Sequence, residues 1–316
     1  MMPTRQGSFH LFRFAGIDVF MHWSWFLVAA YEISTRSALY TSPLWNALEY
    51  VALFMIVLLH EFGHSLACKQ VGGVANQIVL WPLGGIAYVS PPLRPGATLW
   101  SIAAGPLVNV VLLPFTVLLW WLSKHLGWWQ TMPNAHAFIL ALCYMNFGLL
   151  FFNLLPIYPL DGGQILRSLL WFPLGRARSL LVVSGIGFVG VAGLFALAFY
   201  AGSIWYVIMA VFILMSCMGG LLQARTLGRA AAAPRHTGFA CPDCQAVPPQ
   251  GDFWFCPNCK KNFDTFLTQA ACPNCGAQFA VTSCLDCGKA HPIEEWSLPP
   301  QVTPSPIVPP PLPPRQ

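Results

Sequence analysis

Along its first 223 residues the chain is a succession of long apolar stretches separated by short polar or Gly- and Pro-rich breaks. Six stretches, at 18–35, 45–67, 98–122, 136–158, 179–200 and 203–223, come near the ~20 residues an α-helix needs to cross a bilayer. The first has a short apolar core, FMHWSWFLVAAYEI, with Asp18 and Glu32 near its ends and His22 beside Trp23 and Trp25, where it reads as an interfacial anchor. Between the second and third lies KQVGGVANQIVLWPLGGIAYVSPPLRPG, too broken by Gly and Pro for a helix and too apolar for an ordinary loop. Alternating pieces at Gln77–Leu80 and Ile86–Val89 predict a small membrane-associated β-hairpin or re-entrant segment. Such irregular backbone is tolerated at membrane depth only beside protein or a watery cavity.

Composition sharpens this picture. Of 316 residues, 56% are hydrophobic and 9% charged, where a soluble globular chain carries about 25% charged residues. A single soluble core is therefore excluded. Residues 1–235 hold five acids, Asp18, Glu32, Glu49, Glu61 and Asp161, and the remaining 81 residues hold the other six. Two regimes meet near 235, giving an expected membrane domain at 1–235. The net charge of +5 does not suggest a nucleic-acid partner, because the cations lie beside apolar segments rather than in one dense run. With six crossings, Arg5, Arg13, Lys69, Arg94, Arg167, Arg176, Arg178, Arg225, Arg229 and Arg235 share one side, against Arg36 and Lys124 on the other. That asymmetry places both termini in the cytoplasm, in the inner membrane of a cell. The mixed opening MMPTRQGSFHLFRFAGID lacks the form of a cleavable signal peptide, so the N-terminus is expected to stay attached.

The second span ends FMIVLLHEFGHSLACKQ, which puts His60, Glu61 and His64 on an otherwise apolar helix. Ionisable groups so placed need a partner or a function. His60 and His64 are four residues apart and share a helix face, the spacing for two imidazoles on one zinc, while Glu61 can reach a metal-bound water as general base. A catalytic zinc needs a third protein ligand. Asp161, in NFGLLFFNLLPIYPLDGGQILRSLL, is the sole acid between Glu61 and Asp243. It could be that ligand, the N-cap of the helix that follows, or both. Spans two and four run in the same direction, so His60, His64 and Asp161 all lie toward the cytoplasmic leaflet and can meet on one ion. Gly63 permits close approach of a neighbouring helix.

Eight of the eleven cysteines form four CxxC knuckles, Cys241/Cys244, Cys256/Cys259, Cys272/Cys275 and Cys284/Cys287. Eight thiolates at this spacing fit two structural zinc sites. Sequential pairing gives two short zinc ribbons; interleaved pairing uses the same residues. The cytoplasmic topology disfavours disulfides, and iron or an iron–sulfur cluster would use the same donors. Phe253, Trp254, Phe255, Phe263 and Phe266 are expected to fill two tiny cores. Lys260, Lys261 and Lys289 stand against six acids, so a cytoplasmic regulatory protein fits as partner better than nucleic acid. The module occupies 236–298, and 299–316 is a Pro-rich disordered tail. The predicted fold is thus an all-α polytopic membrane protein of about six transmembrane helices with a small β-hairpin region, followed by a small zinc-ribbon domain.

In combination, HEFGH at 60–64, WPLGG at 81–85, AAGPLVN at 103–109 and NLLPIYPLDGG at 153–163 resemble the site-2 protease family of intramembrane zinc metalloproteases, over about 220 residues. GIDVFMHWSW at 16–25 resembles the start of its compact branch, with Asp18 where the family often has Pro. The resemblance implies one catalytic zinc on His60, His64 and Asp161, with Glu61 activating water to cleave peptide bonds in or near the spans of membrane proteins. It implies substrate-orienting or oxyanion roles for Asn109 and Asn153. A metal transporter, or a scaffold displaying the ribbon module, would share the metal ligands; the intact Glu61 favours hydrolysis.

Overall fold

A computed structural model describes residues 7–35, 39–81 and 84–297. The segment 299–316, expected to be a Pro-rich tail, lies outside the described residues. The chain divides into two compact units, Met1–Gly228 and Arg229–Gln316.

The first unit opens with two antiparallel strands, β1 (Ser8–Phe14) and β2 (Ile17–His22), and a short helix α1 (Trp25–Thr35). Helix α2 (Pro43–Gln70) then leads to β3 (Val74–Trp81) and β4 (Gly84–Ser90). Helices α3 (Pro95–His125), α4 (Trp128–Thr131), α5 (Pro133–Leu154), α6 (Asp161–Ala201) and α7 (Ile204–Ala232) complete the unit's secondary structure. Among the described residues five helices, α2, α3, α5, α6 and α7, are long and apolar enough to cross a membrane. Side chains such as Val189 and Phe199 stand 74% and 93% exposed on these helices, a display suited to lipid rather than water. The chain is a multi-pass, mostly α-helical membrane protein.

The first expected span is resolved differently. Residues 17–22 pair as a strand, and α1 has 11 described residues, about 16 Å, short of the ~30 Å hydrocarbon core. The period-2 pattern of IDVFMH was absorbed into the apolar run that follows it. In α6, Gly175 adopts φ 76°, ψ 172°, so the helix is two segments broken just after Pro173.

The four strands form one sheet in the order β1-β2-β3-β4, with β2 and β3 parallel and the outer pairs antiparallel. A parallel pair needs a crossover, which α1 and α2 supply. Ile17 and Val19 of β2 and Ile78 and Leu80 of β3 are buried against Phe54, Val57 and Leu58 of α2. Phe12 and Phe14 of β1 contact Phe62 on the same helix. Lys69, in the last turn of α2, donates to the Ala15 and Gly16 carbonyls at the β1–β2 turn. The sheet is thereby fixed along the C-terminal half of α2, where the histidines lie.

The second unit has two tiny hairpins, β5 (Trp254–Phe255) with β6 (Asn262–Phe263) and β7 (Thr282–Ser283) with β8 (Ala290–His291). Instead of two cores it has one, centred on Phe266, whose ring meets Phe239, Trp254 and Trp296 at centroid distances of 5.0–5.2 Å. Asp264 organises the turn beside it, accepting from the Gly251, Phe266 and Leu267 amides and pairing with buried His236 at 2.9 Å. A buried carboxylate is tolerated because it has this many donors.

Candidate active site and metal centres

Helical spacing puts the His60 and His64 rings on one face of α2, both buried. That face packs on α3, where close approach depends on missing side chains. A Cβ on Gly63 would lie 2.6 Å from the Ala104 carbonyl oxygen, and one on Gly105 would lie 2.2 Å from His64 Nε2. Asp161 arrives from α6 as its first residue, with Leu160 rather than Asp161 at the cap. The turn that delivers it is tight: a Cβ on Gly162 would sit 2.3 Å from the Leu154 carbonyl oxygen, and one on Gly163 2.5 Å from the backbone at Ile157 and Tyr158.

Three donor atoms converge there. His60 Nε2 lies 3.0 Å from Asp161 Oδ2, His64 Nε2 lies 3.3 Å from the same oxygen, and the two Nε2 atoms are 3.1 Å apart. Each imidazole is held from behind: His60 Nδ1 donates to Asn109 Oδ1 at 2.6 Å, and His64 Nδ1 donates to the Ser101 carbonyl at 3.0 Å. A neutral imidazole that donates from Nδ1 presents a bare lone pair at Nε2. Two such lone pairs and a carboxylate oxygen pointing at one another repel unless a cation lies among them. Tetrahedral ligands ~2.0–2.1 Å from zinc stand about 3.3 Å apart, so both spacing and donor chemistry fit this ion.

Glu61 lies beside this group, buried. Its Oε2 accepts the Ala87 amide of β4 at 3.0 Å, and its side chain lies against Gly85, where a Cβ would stand 2.2 Å from Glu61 Cγ. Asn109, expected to face substrate, is instead fully buried with both ends of its carboxamide occupied: Oδ1 on His60, Nδ2 on Asn146 Oδ1 at 2.8 Å. Asn153 is half-buried, and no hydrogen bond to its side chain is found among the described residues. Asn146 and the Ser101 carbonyl were not singled out from sequence, and Gly85 and Gly105 entered only as letters of the WPLGG and AAGPLVN segments. Asn146 carried a usable signal, a primary amide within the apolar span 136–158. Beyond their place in those segments, nothing assigned the glycines a job until the packing was known.

The cysteines form two more donor sets, but not in sequential pairs. Cys241, Cys244, Cys284 and Cys287 cluster together, as do Cys256, Cys259, Cys272 and Cys275. The second set is thus nested inside the first along the chain. Sγ–Sγ distances are 3.7 Å for Cys241–Cys287 and Cys244–Cys284 and 3.6 Å for Cys256–Cys275 and Cys259–Cys272. These match the ~3.8 Å edges of a zinc tetrathiolate and exceed the ~2.05 Å of a disulfide. Side-chain bonds support the nesting independently of the thiols: Asp243 of the first knuckle accepts from Lys289 and His291, which follow the fourth, and these donors hold its carboxyl below the usual range. One set of two histidines and an aspartate, with two sets of four thiolates, thus provides for one catalytic and two structural zinc ions.

Gly105→Ala is expected to push the His64 ring off its position and to weaken zinc at the histidine–aspartate set by about 10–100-fold. Chelator competition on the full chain measures this, with the two thiolate-held ions as internal reference. Unchanged affinity would count against His64 as a ligand.

Comparison with known proteins agrees with this chemistry. The model of peptidase family M50 matches residues 128–197. A zinc metalloprotease of Methanocaldococcus jannaschii is 32% identical over 180 residues, 57% of this chain and 50% of that protein. The stage IV sporulation protein FB of Bacillus subtilis is 35% identical over 120 residues, 37% of this chain and 38% of that protein. The solved site-2 protease from M. jannaschii is 25% identical, covering 68% of this chain and 95% of that one, with a TM-score of 0.48. The chain spans half or less of the length of the curated relatives it matches. These sequence matches, on a chain that also carries the ordered motifs and the three-ligand cluster, make it similar over part of its length to zinc metalloproteases of peptidase family M50.

Proposed function

We propose that this protein is an intramembrane zinc metalloendopeptidase that hydrolyses peptide bonds in or near the transmembrane segments of other membrane proteins. The observation that carries the reading is the convergence of His60 Nε2, His64 Nε2 and Asp161 Oδ2, all buried or partly buried, with Glu61 alongside on the same helix. When bound, zinc supplies a Lewis acid that polarises a carbonyl and acidifies water. Glu61 is the general base: with Oε2 held by the Ala87 amide, Oε1 takes the proton of the attacking water and returns it to the leaving amine nitrogen. Asn153 donates its amide to the substrate carbonyl oxygen, a role its lack of a partner within the described residues leaves open to it. Asn109 orients His60 rather than substrate.

A helical substrate hides its peptide groups in intrahelical bonds and must unwind to react. β4 is an edge strand of the sheet and runs past Glu61, so it can pair with the unwound segment and present it to the base.

The six-crossing topology with both termini cytoplasmic rests on the parallel pairing of β2 and β3 together with the charge asymmetry. The chain leaves the sheet after His22 and returns to it at Val74, and α2, about 42 Å long, makes one crossing. Regaining the same sheet then requires a second crossing between His22 and Pro43. In this reading 1–235 is the protease domain in the inner membrane, 236–298 a cytoplasmic double zinc-binding module that meets a regulatory protein, and 299–316 an extension.

The test uses the purified full chain in proteoliposomes with a single-span substrate. Cleavage within or beside the span, lost on metal removal and restored by zinc, is the expected result. A fully zinc-loaded chain that cleaves no membrane substrate would turn the assignment toward a transporter or scaffold.

A further inference from the structure

The polar chemistry around the metal ligands extends one residue further than hydrolysis requires. Asn146 projects from α5 into the α3–α5 interface, where it and Asn109 are both fully buried. The two carboxamides interlock: Asn109 Nδ2 donates to Asn146 Oδ1 at 2.8 Å, and Asn146 Nδ2 donates to the Asn109 backbone carbonyl at 3.0 Å. Asn109 Oδ1, the remaining end, accepts from His60 Nδ1 at 2.6 Å. Both of the groups paired here sit among apolar helices, where an amide left unmatched keeps its desolvation cost with nothing to offset it.

A carboxamide has one accepting and one donating end and can be turned over about its last torsion. If Asn109 were turned, its NH2 would face His60 Nδ1. The ring would then accept at Nδ1 and carry its proton at Nε2, the atom that faces Asp161 and His64, and could not bind metal there. Nothing in Asn109 alone selects between the two orientations. Asn146 does: its Oδ1 accepts only from the NH2 end, and its own NH2 is committed to a backbone oxygen that cannot turn.

We propose that Asn146 is a positioning residue for the metal centre, which by fixing the orientation of the Asn109 carboxamide fixes His60 as the Nε2-ligating tautomer. The inference rests on the assignment of His60 as a metal ligand under the proposed function, and touches neither substrate nor Glu61.

The test measures zinc, not cleavage, on the full chain. Asn146→Leu, close in size and apolar, leaves Asn109 free to turn. It should weaken the zinc on His60, His64 and Asp161 by about 10–100-fold in chelator competition, the range seen when outer-shell partners of metal-bound His are lost, while the two thiolate-held ions stay put. The contrast that isolates orientation is Asn109→Asp. A carboxylate offers an acceptor to His60 whichever way it faces, so in that background Asn146→Leu should cost less than about threefold. Asn146→Ala reads the same contrast where Leu does not fold. Equal losses in both backgrounds would reduce Asn146 to a packing residue, and wild-type affinity in Asn146→Leu would overturn the proposal outright. If the wild type holds zinc tightly but cleaves nothing, the protease reading fails while the asparagine contrast is still read.

Discussion

Glu61→Gln should lower cleavage of a transmembrane substrate by about 10²–10⁴-fold, the range removed with a general acid–base group, while the chain keeps its zinc. Gln is nearly isosteric and keeps a carbonyl oxygen to accept the Ala87 amide, so β4 stays docked and Gly85 keeps its place against the side chain. What is lost is the basic oxygen. None of the three converging donor atoms belongs to Glu61, so metal content should match the wild type. Site-specific cleavage that survives at more than a tenth of the wild-type rate would remove Glu61 as base. Loss of zinc together with activity would instead make Glu61 a structural support of the ligands.

The nested thiolate sets make a prediction of comparable size for the second unit. In the double variant Cys241→Ser/Cys284→Ser both substitutions fall in one set, so native mass spectrometry of the full chain should find one zinc fewer than in the wild type. In Cys241→Ser/Cys256→Ser they fall in different sets, and two should be missing. Sequential pairing predicts the reverse, so the two variants exclude one connectivity between them. Structural zinc contributes an apparent ~10–16 kcal/mol in zinc-finger peptides, more than most small domains have as total stability. The doubly depleted unit should therefore lose the core around Phe266, visible as lost protection of its amides from hydrogen exchange.

The parts of this molecule legible in its sequence were those where a residue type contradicted its surroundings. His60, Glu61 and His64 stood out because the bilayer makes such groups costly, and Asp161 because acids are so scarce before residue 235. Asn146 contradicts its surroundings in the same way and could have been found. Asn109 was visible, yet its job was not, because whether an amide faces substrate or a histidine depends on what the neighbouring helix offers. β1 and β2 were hidden by length: seven and six residues of mixed aromatic and polar character have no buried face until α2 is placed against them. Gly85 and Gly105 are defined by the atoms that fill the space of a missing Cβ, which belong to distant segments. The cysteines announced two metals by spacing alone, but four equivalent knuckles contain no local information on partners.

The nested connectivity also imposes an order of assembly. Cys259 and Cys272 of the inner set are 13 positions apart, whereas Cys244 and Cys284 of the outer set are 40 apart. Closing the longer loop costs about 1 kcal/mol more in chain entropy if the intervening segment is still flexible. Once the inner ion has drawn residues 256–275 together, most of that segment is already ordered and the outer knuckles are brought within reach. The inner metal is then the nucleus of the module and the outer one its clasp. Metal scarcity would accordingly open the unit from its two ends, releasing the first knuckle, the one nearest in sequence to α7, before the centre.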